Sequence, residues 1–295
     1  MKTLVTGWFS FEQMGATAGD LFSRDIVCKW LEQAGFAYDV ALAPPFVGGV
    51  DWKRVDPQDY THMVFVCGPF GNGWPITEFL PRFTNCRCLG VNLTMLEPLE
   101  AWNLFDFLLE RESSRFARPD ISFLSKKPKV PVVSVVLVHP QREYGEKALH
   151  NEANAAVKQL LDSMEVSVVP IDTRLDINNT GLRTPREVES LIARMDVVVT
   201  TRLHGTVLSI KNGVPVIAID PIGGGAKIKR QAETIGWPVV FTVDNLNFQK
   251  LKSTFDYCLT ENAKYKTIQC KERSVEKVNI GREQFISKII HHEDK

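Results

Sequence analysis

A short charged segment between two strongly apolar runs is the part of this sequence best suited to chemistry. Residues 202–205 read Arg-Leu-His-Gly and lie between the runs 197–199 and 214–219. The guanidinium of Arg202 is a two-pronged donor for a carboxylate or phosphate, and the free N–H groups of a helix start also favour an anion. His204 adds a group that exchanges protons near neutral pH. The segment predicts an anion site with an acid–base residue.

A second cationic turn follows the next apolar run. That run ends at Asp220, and residues 221–227 read Pro-Ile-Gly-Gly-Gly-Ala-Lys. Gly224 and Gly225 let the backbone approach a ligand closely, and Lys227 brings a mobile positive charge. The turn does not match a P-loop, because Ile228 stands where Ser or Thr is required. Ligands of parallel α/β sheets bind beyond the carboxyl ends of strands. We therefore expect both turns to hold one anion at one rim of a sheet.

The elements that position these turns alternate between strand and helix patterns along the chain. This alternation predicts an α/β fold with parallel sheets and helices on both faces. A helix with 3.6-residue periodicity lies between the first two strands and ends at Gly35. The predicted strands are 4–9, 37–42, 63–67, 88–93, 132–138, 166–170, 196–200, 214–219 and 238–243. The predicted helices of the second half are 146–163, 185–195, 205–212 and 227–235.

The length of 295 residues is typical of about two domains. A polar, proline-containing stretch at 125–129 precedes a fresh strand and marks the predicted boundary. We expect an N-terminal domain over 1–127, a second domain over 128–260 and a helical tail over 261–295. The tail carries apolar residues near its end, and we expect it to close the fold by packing back across the domains. Those residues are Phe285, Ile286, Ile289 and Ile290.

The composition argues against several classes of protein. Lys+Arg and Asp+Glu both number 35, and the resulting zero net charge argues against a broad nucleic-acid surface. No stretch approaches the ~20 apolar residues that span a bilayer, and the N-terminus is interrupted too early for a signal peptide. The six cysteines show no paired C-x-x-C spacing. We expect a cytoplasmic protein with reduced cysteines and no metal site.

The motifs together resemble the polysaccharide pyruvyl transferase family. The most specific block runs from Asp196 through Val-Val-Val-Thr-Thr-Arg-Leu-His-Gly-Thr, with Gly-Val-Pro-Val-Ile at 213–217 and a lysine about a turn later. Residues 16–35 resemble the Gly-Asp pair and helix near the N-terminus of that family. Residues 108–124 resemble its strand-Arg-acid-x-x-Ser segment with a later Asp. The resemblance covers most of residues 1–240.

The resemblance implies two Rossmann-like domains arranged as in GT-B glycosyltransferases, with the active site in the cleft between them. It implies phosphoenolpyruvate as donor and a sugar diol of a polysaccharide or glycan as acceptor, lipid-linked acceptors included. The product is a cyclic pyruvate ketal, and no bound cofactor is needed. The expected donor contacts are Arg111 of the first domain and Arg202, Leu203, Gly205, Gly224, Gly225 and Lys227 of the second.

This sequence departs from the family pattern at three places. Thr17 and Ala18 precede the Gly-Asp pair where an Asn is common, and Glu112 stands where an Asp is usual. The expected glycine pair after the third strand appears as Gly68-Pro69, with Gly-Asn-Gly at 71–73. All three departures lie in the first domain, where the acceptor is expected. The acceptor-side candidates there are Gly19, Asp20 and Asn72.

The donor chemistry gives the candidates their roles. The carboxylate and phosphate of phosphoenolpyruvate need two cationic clamps, which Arg111 and Arg202 would supply on domain closure. Protonation of C3 makes C2 electrophilic, a sugar hydroxyl attacks, phosphate leaves and a second hydroxyl closes the ketal. His204 is the expected proton carrier, and Lys227 helps to stabilise the departing phosphate. Asp20 either orients an acceptor hydroxyl or is the N-cap of its helix. His139 and Arg142 form a second-rank site.

Two other functions fit the same residues. A GT-B glycosyltransferase would use the anion site for the diphosphate of a nucleotide sugar, and protection by such a donor but not by phosphoenolpyruvate would indicate it. A non-catalytic protein that binds an anionic glycan or metabolite would need the arginines but not His204. In that case His204→Ala would leave the measured property unchanged while Arg202→Ala abolished ligand binding.

Overall fold

The computed structural model describes residues 1–139 and 144–290 with their side chains, and residues 142 and 143 by their backbone. The chain divides into two compact units, Met1–Pro128 and Lys129–Lys295. Each unit contains one five-stranded sheet whose strands all pair in parallel. The predicted α/β fold with two Rossmann-like domains is confirmed, and their arrangement as in GT-B enzymes stays a prediction.

The first unit has strand order β2-β1-β3-β4-β5. Alternate residues of its central strand enter opposite cores: Phe65 packs in an aromatic cluster, whereas Val64 and Val66 pack on the side of the first helix. In chain order its elements are β1 (Lys2–Thr6), α1 (Ala18–Gln33), β2 (Ala37–Val40), β3 (His62–Phe70), α2 (Ile76–Phe79), β4 (Arg87–Met95) and β5 (Phe107–Glu112).

The first strand is shorter than predicted, because the chain turns at Gly7. A Cβ on this residue would lie 2.7 Å from the carbonyl oxygen of Val66, so only glycine fits between the strands here. The next three residues, Trp8–Ser10, form a 3₁₀ turn. The side chain of Ser10 accepts a hydrogen bond from the Gly7 N–H and donates one to the carbonyl of Ala41. This turn directs the chain across the carboxyl edge of the sheet.

The second unit has strand order β10-β9-β8-β6-β7. Its core is formed by valines and isoleucines of the central strands, and Val197, Val198 and Val199 are fully buried. Strand β10 lies at the edge, as Pro238 predicted. In chain order the elements are β6 (Val132–Val136), α3 (His150–Asp162), β7 (Ser167–Pro170), α4 (Pro185–Ile192), β8 (Val197–Thr200), α5 (Leu203–Lys211), β9 (Val216–Asp220), α6 (Lys227–Ile235), β10 (Val240–Thr242), α7 (Phe248–Cys258) and α8 (Glu261–Ile290).

Helix α8 differs from the expected closing helix. It packs on α5, α6 and α7 through its first turns, where Ala263, Thr267 and Cys270 are buried. The apolar side chains near its end, Phe285, Ile286, Ile289 and Ile290, are instead 47–64% exposed. Their 3–4 residue spacing was read as a packing face, but periodicity does not show whether a partner surface is present. Within the described ranges, no helix combines the length and apolarity needed to cross a membrane.

Candidate active site

The carboxyl ends of β1, β3 and β5 surround a pocket of about 530 Å³ in the first unit. Ligand pockets in proteins have this order of size, and this edge of a parallel sheet is the usual place for one. The structure brings three predicted residues together here, namely Gly19, Asp20 and Arg111. Asn72 does not line the pocket; it is exposed and its N–H donates to a carboxylate oxygen of Glu97.

Asp20 lies in the first turn of α1, and the N-cap of this helix is Thr17. The hydroxyl of Thr17 accepts from the Asp20 N–H, and one oxygen of Asp20, Oδ2, accepts from both the N–H and the hydroxyl of Thr17 at 2.7 Å. This is a capping box. The alternative in which Asp20 itself is the N-cap is therefore wrong by three positions. Its carboxylate also accepts a hydrogen bond from the Cys67 thiol, and it lines the pocket.

Arg111 lies in a cluster that neutralises its charge. Its Nε donates to Glu112 at 2.9 Å, its Nη1 to Asp120 at 2.9 Å and its Nη2 to Thr94 at 2.7 Å. Burial opposes the charged form, but the hydrogen bonds to Glu112 and Asp120 outweigh it and raise the pKa of Arg111 above its ordinary value. The guanidinium is thus fixed and already paired with two carboxylates. Contact between Arg111 and the donor stays a prediction.

Cys67, which lines the pocket, and Asn92, which bonds to it, hold strained backbone conformations. Cys67 and Asn92 have φ of 66° and 60°, in the left-handed region that side chains other than glycine adopt rarely. The Asn92 amide donates to Asp120 at 3.0 Å and to the Cys67 sulfur at 3.4 Å. Burial, and then the Asp20 carboxylate, raise the pKa of the Cys67 thiol to about 11. Strain of this kind is concentrated at functional sites.

Asp120 joins these groups into one network. Burial opposes its ionisation, but hydrogen bonds from the Ser122 backbone N–H, Arg111 and Asn92 outweigh that effect and lower the pKa of Asp120 to about 2. The pocket is therefore lined by two carboxylates, Asp20 and Asp120, and one paired arginine. Such a surface suits a neutral ligand rich in hydroxyl groups better than an anion, because hydroxyls donate to carboxylates.

In the second unit, the turn between β8 and α5 leaves N–H groups open. Arg202 is the N-cap of α5 without a side-chain cap. No described residue accepts from the N–H groups of Leu203, His204 or Gly205, whereas the Thr206 N–H donates to the carbonyl of Arg202. Three aligned donors at a helix start attract an anion. Gly205 is required by packing, because a Cβ there would lie 2.2 Å from the Thr200 hydroxyl oxygen.

The side chain of Arg202 is held by a buried carboxylate. Its Nη1 donates to Asp172 Oδ1 at 2.7 Å, and the other oxygen of Asp172 lies 3.1 Å from His139 Nε2. Burial opposes ionisation of Asp172, but hydrogen bonds from the Arg174 N–H, His139 and Arg202 outweigh it and lower its pKa. The remaining guanidinium N–H groups of Arg202 have no acceptor within the described ranges. The second-rank residue His139 is thus brought to Arg202, through an aspartate that the sequence analysis did not identify.

His204 lies on the first turn of α5 and is exposed. Its ring has no hydrogen-bond or ion-pair partner within the part of the chain that the structure describes. A histidine used as a structural residue would normally be buried and hydrogen-bonded, so the position is compatible with contact to a ligand at the helix start. Its role as proton carrier stays a prediction.

The glycine-rich turn after β9 is held by the protein itself. Buried Asp220 accepts from the N–H groups of Ala226, Ile228 and Lys229 through Oδ2, and from Ile222 through Oδ1, at 2.7–3.2 Å. The Gly224 N–H donates to Asp244, and the Gly225 N–H to the carbonyl of Ile222. Both glycines have φ near +80°, which explains their residue type. Because both N–H groups are used in hydrogen bonds within the protein, they do not support donor contact by Gly224 and Gly225, which stays a prediction.

Lys227 lies at the start of α6 in a pocket of about 470 Å³. Its ammonium is 5.6 Å from the centre of the Tyr144 ring, which is a cation–π distance. Neither Arg202 nor His204 lines this pocket, so the expected convergence of the two turns on one anion is not seen in the side chains. The side chain of Arg142 falls outside the described residues. No group of three or more metal-ligating side chains occurs among the residues described.

Comparison with known proteins supports the resemblance read from the motifs. Residues 111–222 match the family model "Polysaccharide pyruvyl transferase". The match includes Arg111, Arg202 and His204, and it ends before Lys227. No curated protein matches the chain.

Similar solved structures have low identity and low TM-scores. Spinosyn forosaminyltransferase SpnP is 12% identical with TM-score 0.32, covering 92% of this chain and 94% of that chain. UDP-GlcNAc 2-epimerase of Methanocaldococcus jannaschii, in complex with UDP-GlcNAc and UDP, is 9% identical with TM-score 0.32, covering 95% and 100%. MurG of Acinetobacter baumannii is 10% identical with TM-score 0.31, covering 92% and 94%.

Proposed function

From the premise that residues 111–222 match the polysaccharide pyruvyl transferases, we propose that this protein transfers pyruvate from phosphoenolpyruvate to two hydroxyl groups of a sugar. The family match supports a transferase that acts in polysaccharide modification. The donor and the ketal product are the proposal. The observation that carries it is the turn between β8 and α5, where Arg202 directly precedes three residues whose N–H groups have no partner among the described residues.

This turn has the donors that a phosphate monoester requires. The N–H groups of Leu203, His204 and Gly205 point along a helix start, where the partial positive charge favours an anion. Asp172 fixes one edge of the Arg202 guanidinium and leaves the other N–H groups free for the ligand. His139 on the same aspartate adds positive charge when it is protonated. The arrangement is preorganised, because Asp172 is buried and holds both side chains in place.

The proposed reaction begins with proton transfer from His204 to C3 of the enol, which turns C2 into an oxocarbenium-like centre. One sugar hydroxyl oxygen bonds to C2, and its proton returns to the histidine. The bond between C2 and the phosphate oxygen breaks, and inorganic phosphate leaves toward Arg202. A second hydroxyl oxygen then bonds to C2 and closes the ketal ring, and its proton is taken up by the released phosphate, which departs as hydrogen phosphate. The products are the ketal and phosphate, and no oxidant or reductant is consumed.

The acceptor is assigned to the pocket around Asp20 in the first unit. The carboxylates of Asp20 and Asp120 line this pocket and accept hydrogen bonds from a diol. The paired charge of Arg111 keeps the pocket from attracting a second anion. Asp20 therefore binds and orients an acceptor hydroxyl, and its own position is fixed by two hydrogen bonds from Thr17.

The test is acceptor-dependent release of phosphate from phosphoenolpyruvate. We expect release with at least one glycan of a panel, and a decrease of about 100-fold or more in kcat/KM for Arg202→Gln, because a charge-assisted contact in the transition state is lost. Arg183→Gln is the matched control, since Arg183 is exposed and its ion-pair partner among the described residues is Glu187. His204→Ala is expected to lower kcat. Absence of release with every glycan, or turnover of a nucleotide sugar instead, would contradict the proposal.

A further inference from the structure

The first unit has a second pocket beside the one at Asp20, with a volume of about 410 Å³. The residues that matter for its chemistry are two tryptophans, three carboxylates and one amide. They are Trp52, Trp74, Glu12, Asp51, Glu78 and Gln13. No role in the reaction described above uses them.

Trp74 presents an apolar ring to solvent at the rim of this pocket. Its side chain is 68% exposed, although burying a large aromatic side chain is strongly favourable. The same pocket contains a second tryptophan that is held in place by packing. Trp52 is almost fully buried and packs edge-on against Phe79, with ring centres 5.2 Å apart, and against Phe11 at 5.6 Å. The exposed Trp74 ring is a surface on which a flat ligand can stack.

The charges of the pocket indicate which ligand can stack there. Glu12 and Glu78 are exposed and have no hydrogen-bond or ion-pair partner within the described ranges. The ammonium of Lys53 lies over the Trp52 ring at 5.4 Å from its centre. The lining has three carboxylates against one ammonium, so it disfavours phosphoenolpyruvate, nucleotides and acidic polymers. Free carboxylates accept hydrogen bonds from hydroxyls, and the negative ring face attracts the C–H groups of a pyranose.

The two pockets share one turn of the chain. Met14 and Gly15 line the pocket at Asp20, whereas Glu12 and Gln13 line the pocket at Trp74. Because consecutive Cα atoms are about 3.8 Å apart, the pockets are close neighbours. Gln13 has φ of 56°, a strained conformation for a residue with a side chain. The other described non-glycine residues with positive φ are Cys67 and Asn92. Gln13 and Cys67 line these pockets, and Asn92 bonds to Cys67 and Asp120 in the wall of the pocket at Asp20.

We propose that the pocket at Trp74 is a second saccharide subsite, which binds a neutral pyranose next to the sugar held at Asp20. The inference rests on the proposed function, since it assigns the acceptor to the first unit. It narrows the acceptor to an oligosaccharide or polysaccharide, because a monosaccharide fills only the pocket at Asp20. Trp74 supplies the stacking surface, and Glu12 and Glu78 accept hydroxyl hydrogen bonds.

The experiment compares a monosaccharide with longer acceptors. Glucose, galactose and their β-linked hexamers are titrated against the wild type, Trp74→Ala and the control Trp30→Ala, with binding followed by calorimetry and turnover by phosphate release. Trp30 is a suitable control, because it is also partly exposed, on α1, and lines neither pocket. We expect Trp74→Ala to weaken hexamer binding and raise hexamer KM about tenfold, as loss of an aromatic stacking partner does elsewhere, with no change for the monosaccharide.

The binding measurement separates this inference from the proposed reaction. Hexamer binding that depends on Trp74, without phosphate release, supports the subsite and contradicts pyruvyl transfer. Equal effects of Trp74→Ala on monosaccharide and hexamer, or equal hexamer affinities of Trp74→Ala and Trp30→Ala, overturn the subsite. Failure of both hexamers to bind the wild type also overturns it. Glu78→Gln is a second variant that preserves shape, and a several-fold loss of hexamer affinity is expected from it.

Discussion

Asp220 holds the turn that carries Lys227, and its removal is the sharpest test of how the second unit is built. The carboxylate is 1% exposed and accepts four backbone N–H groups. Asp220→Ala leaves these donors without an acceptor. Each buried donor that loses its partner costs about 1–3 kcal/mol. Because water can reach part of a turn, we expect a total loss of about 3–5 kcal/mol in the free energy of unfolding.

The control for this substitution is a carboxylate that contacts the same turn from the segment after β10. Asp244 is exposed and accepts a single N–H, from Gly224, so Asp244→Ala should cost about 1 kcal/mol or less. Calorimetry should show the melting of the second unit lowered by about 10 °C in Asp220→Ala and by a few degrees at most in Asp244→Ala. Amide exchange should accelerate at Ala226, Ile228 and Lys229 in Asp220→Ala alone. Equal melting temperatures and exchange rates in the two variants would refute this account of the turn.

Two further predictions concern stability. The pKa of Asp120 is lowered to about 2, so the stabilisation that its carboxylate gives is complete above the unfolded pKa of ~3.9 and is lost as pH falls toward 2. The wild type should therefore lose stability relative to Asp120→Asn across this interval. Parallel pH profiles of unfolding for the two proteins would contradict the hydrogen-bond network around Asp120. Gly205→Ala should destabilise the second unit by about 1–3 kcal/mol through the clash with Thr200. Gly281→Ala, with open space around its Cβ, should stabilise α8 by about 0.5–1 kcal/mol, and equal effects in thermal unfolding would contradict the packing.

Much of the fold could be predicted because local patterns and tertiary packing agree. The runs at Val197–Val199 and Val216–Ile219 are apolar throughout and become central strands. Only the family motif indicates the strand that carries Arg111, because the charged residues of this strand interrupt the alternation of apolar and polar residues. Glu110 is fully buried there and is paired with Arg115. A buried carboxylate that is paired with a guanidinium at the surface cannot be predicted from periodicity, since the fold brings its partner to it.

The candidate site was predictable in part. Arg202 is predicted from its place at the end of a strand, and the same rule applies to Asp172, which lies two residues after β7. Asn92 also left a signal, as a polar residue inside an apolar strand. The role of Asp220 could not be read, because its carboxylate binds N–H groups up to nine residues away. The sequence likewise does not show that Lys227 faces Tyr144, a contact set by side-chain packing.

The central claim is that the turn between β8 and α5 binds phosphoenolpyruvate, and equilibrium binding tests it most directly. Calorimetric titration with phosphoenolpyruvate measures its affinity in the absence of any acceptor, for the wild type, Arg202→Gln and Arg183→Gln. We predict saturable binding by wild type and Arg183→Gln, and a Kd raised at least about tenfold in Arg202→Gln, as expected for loss of a charged hydrogen-bond donor. Equal affinities of all three proteins, or binding of a nucleotide sugar without binding of phosphoenolpyruvate, would contradict the account.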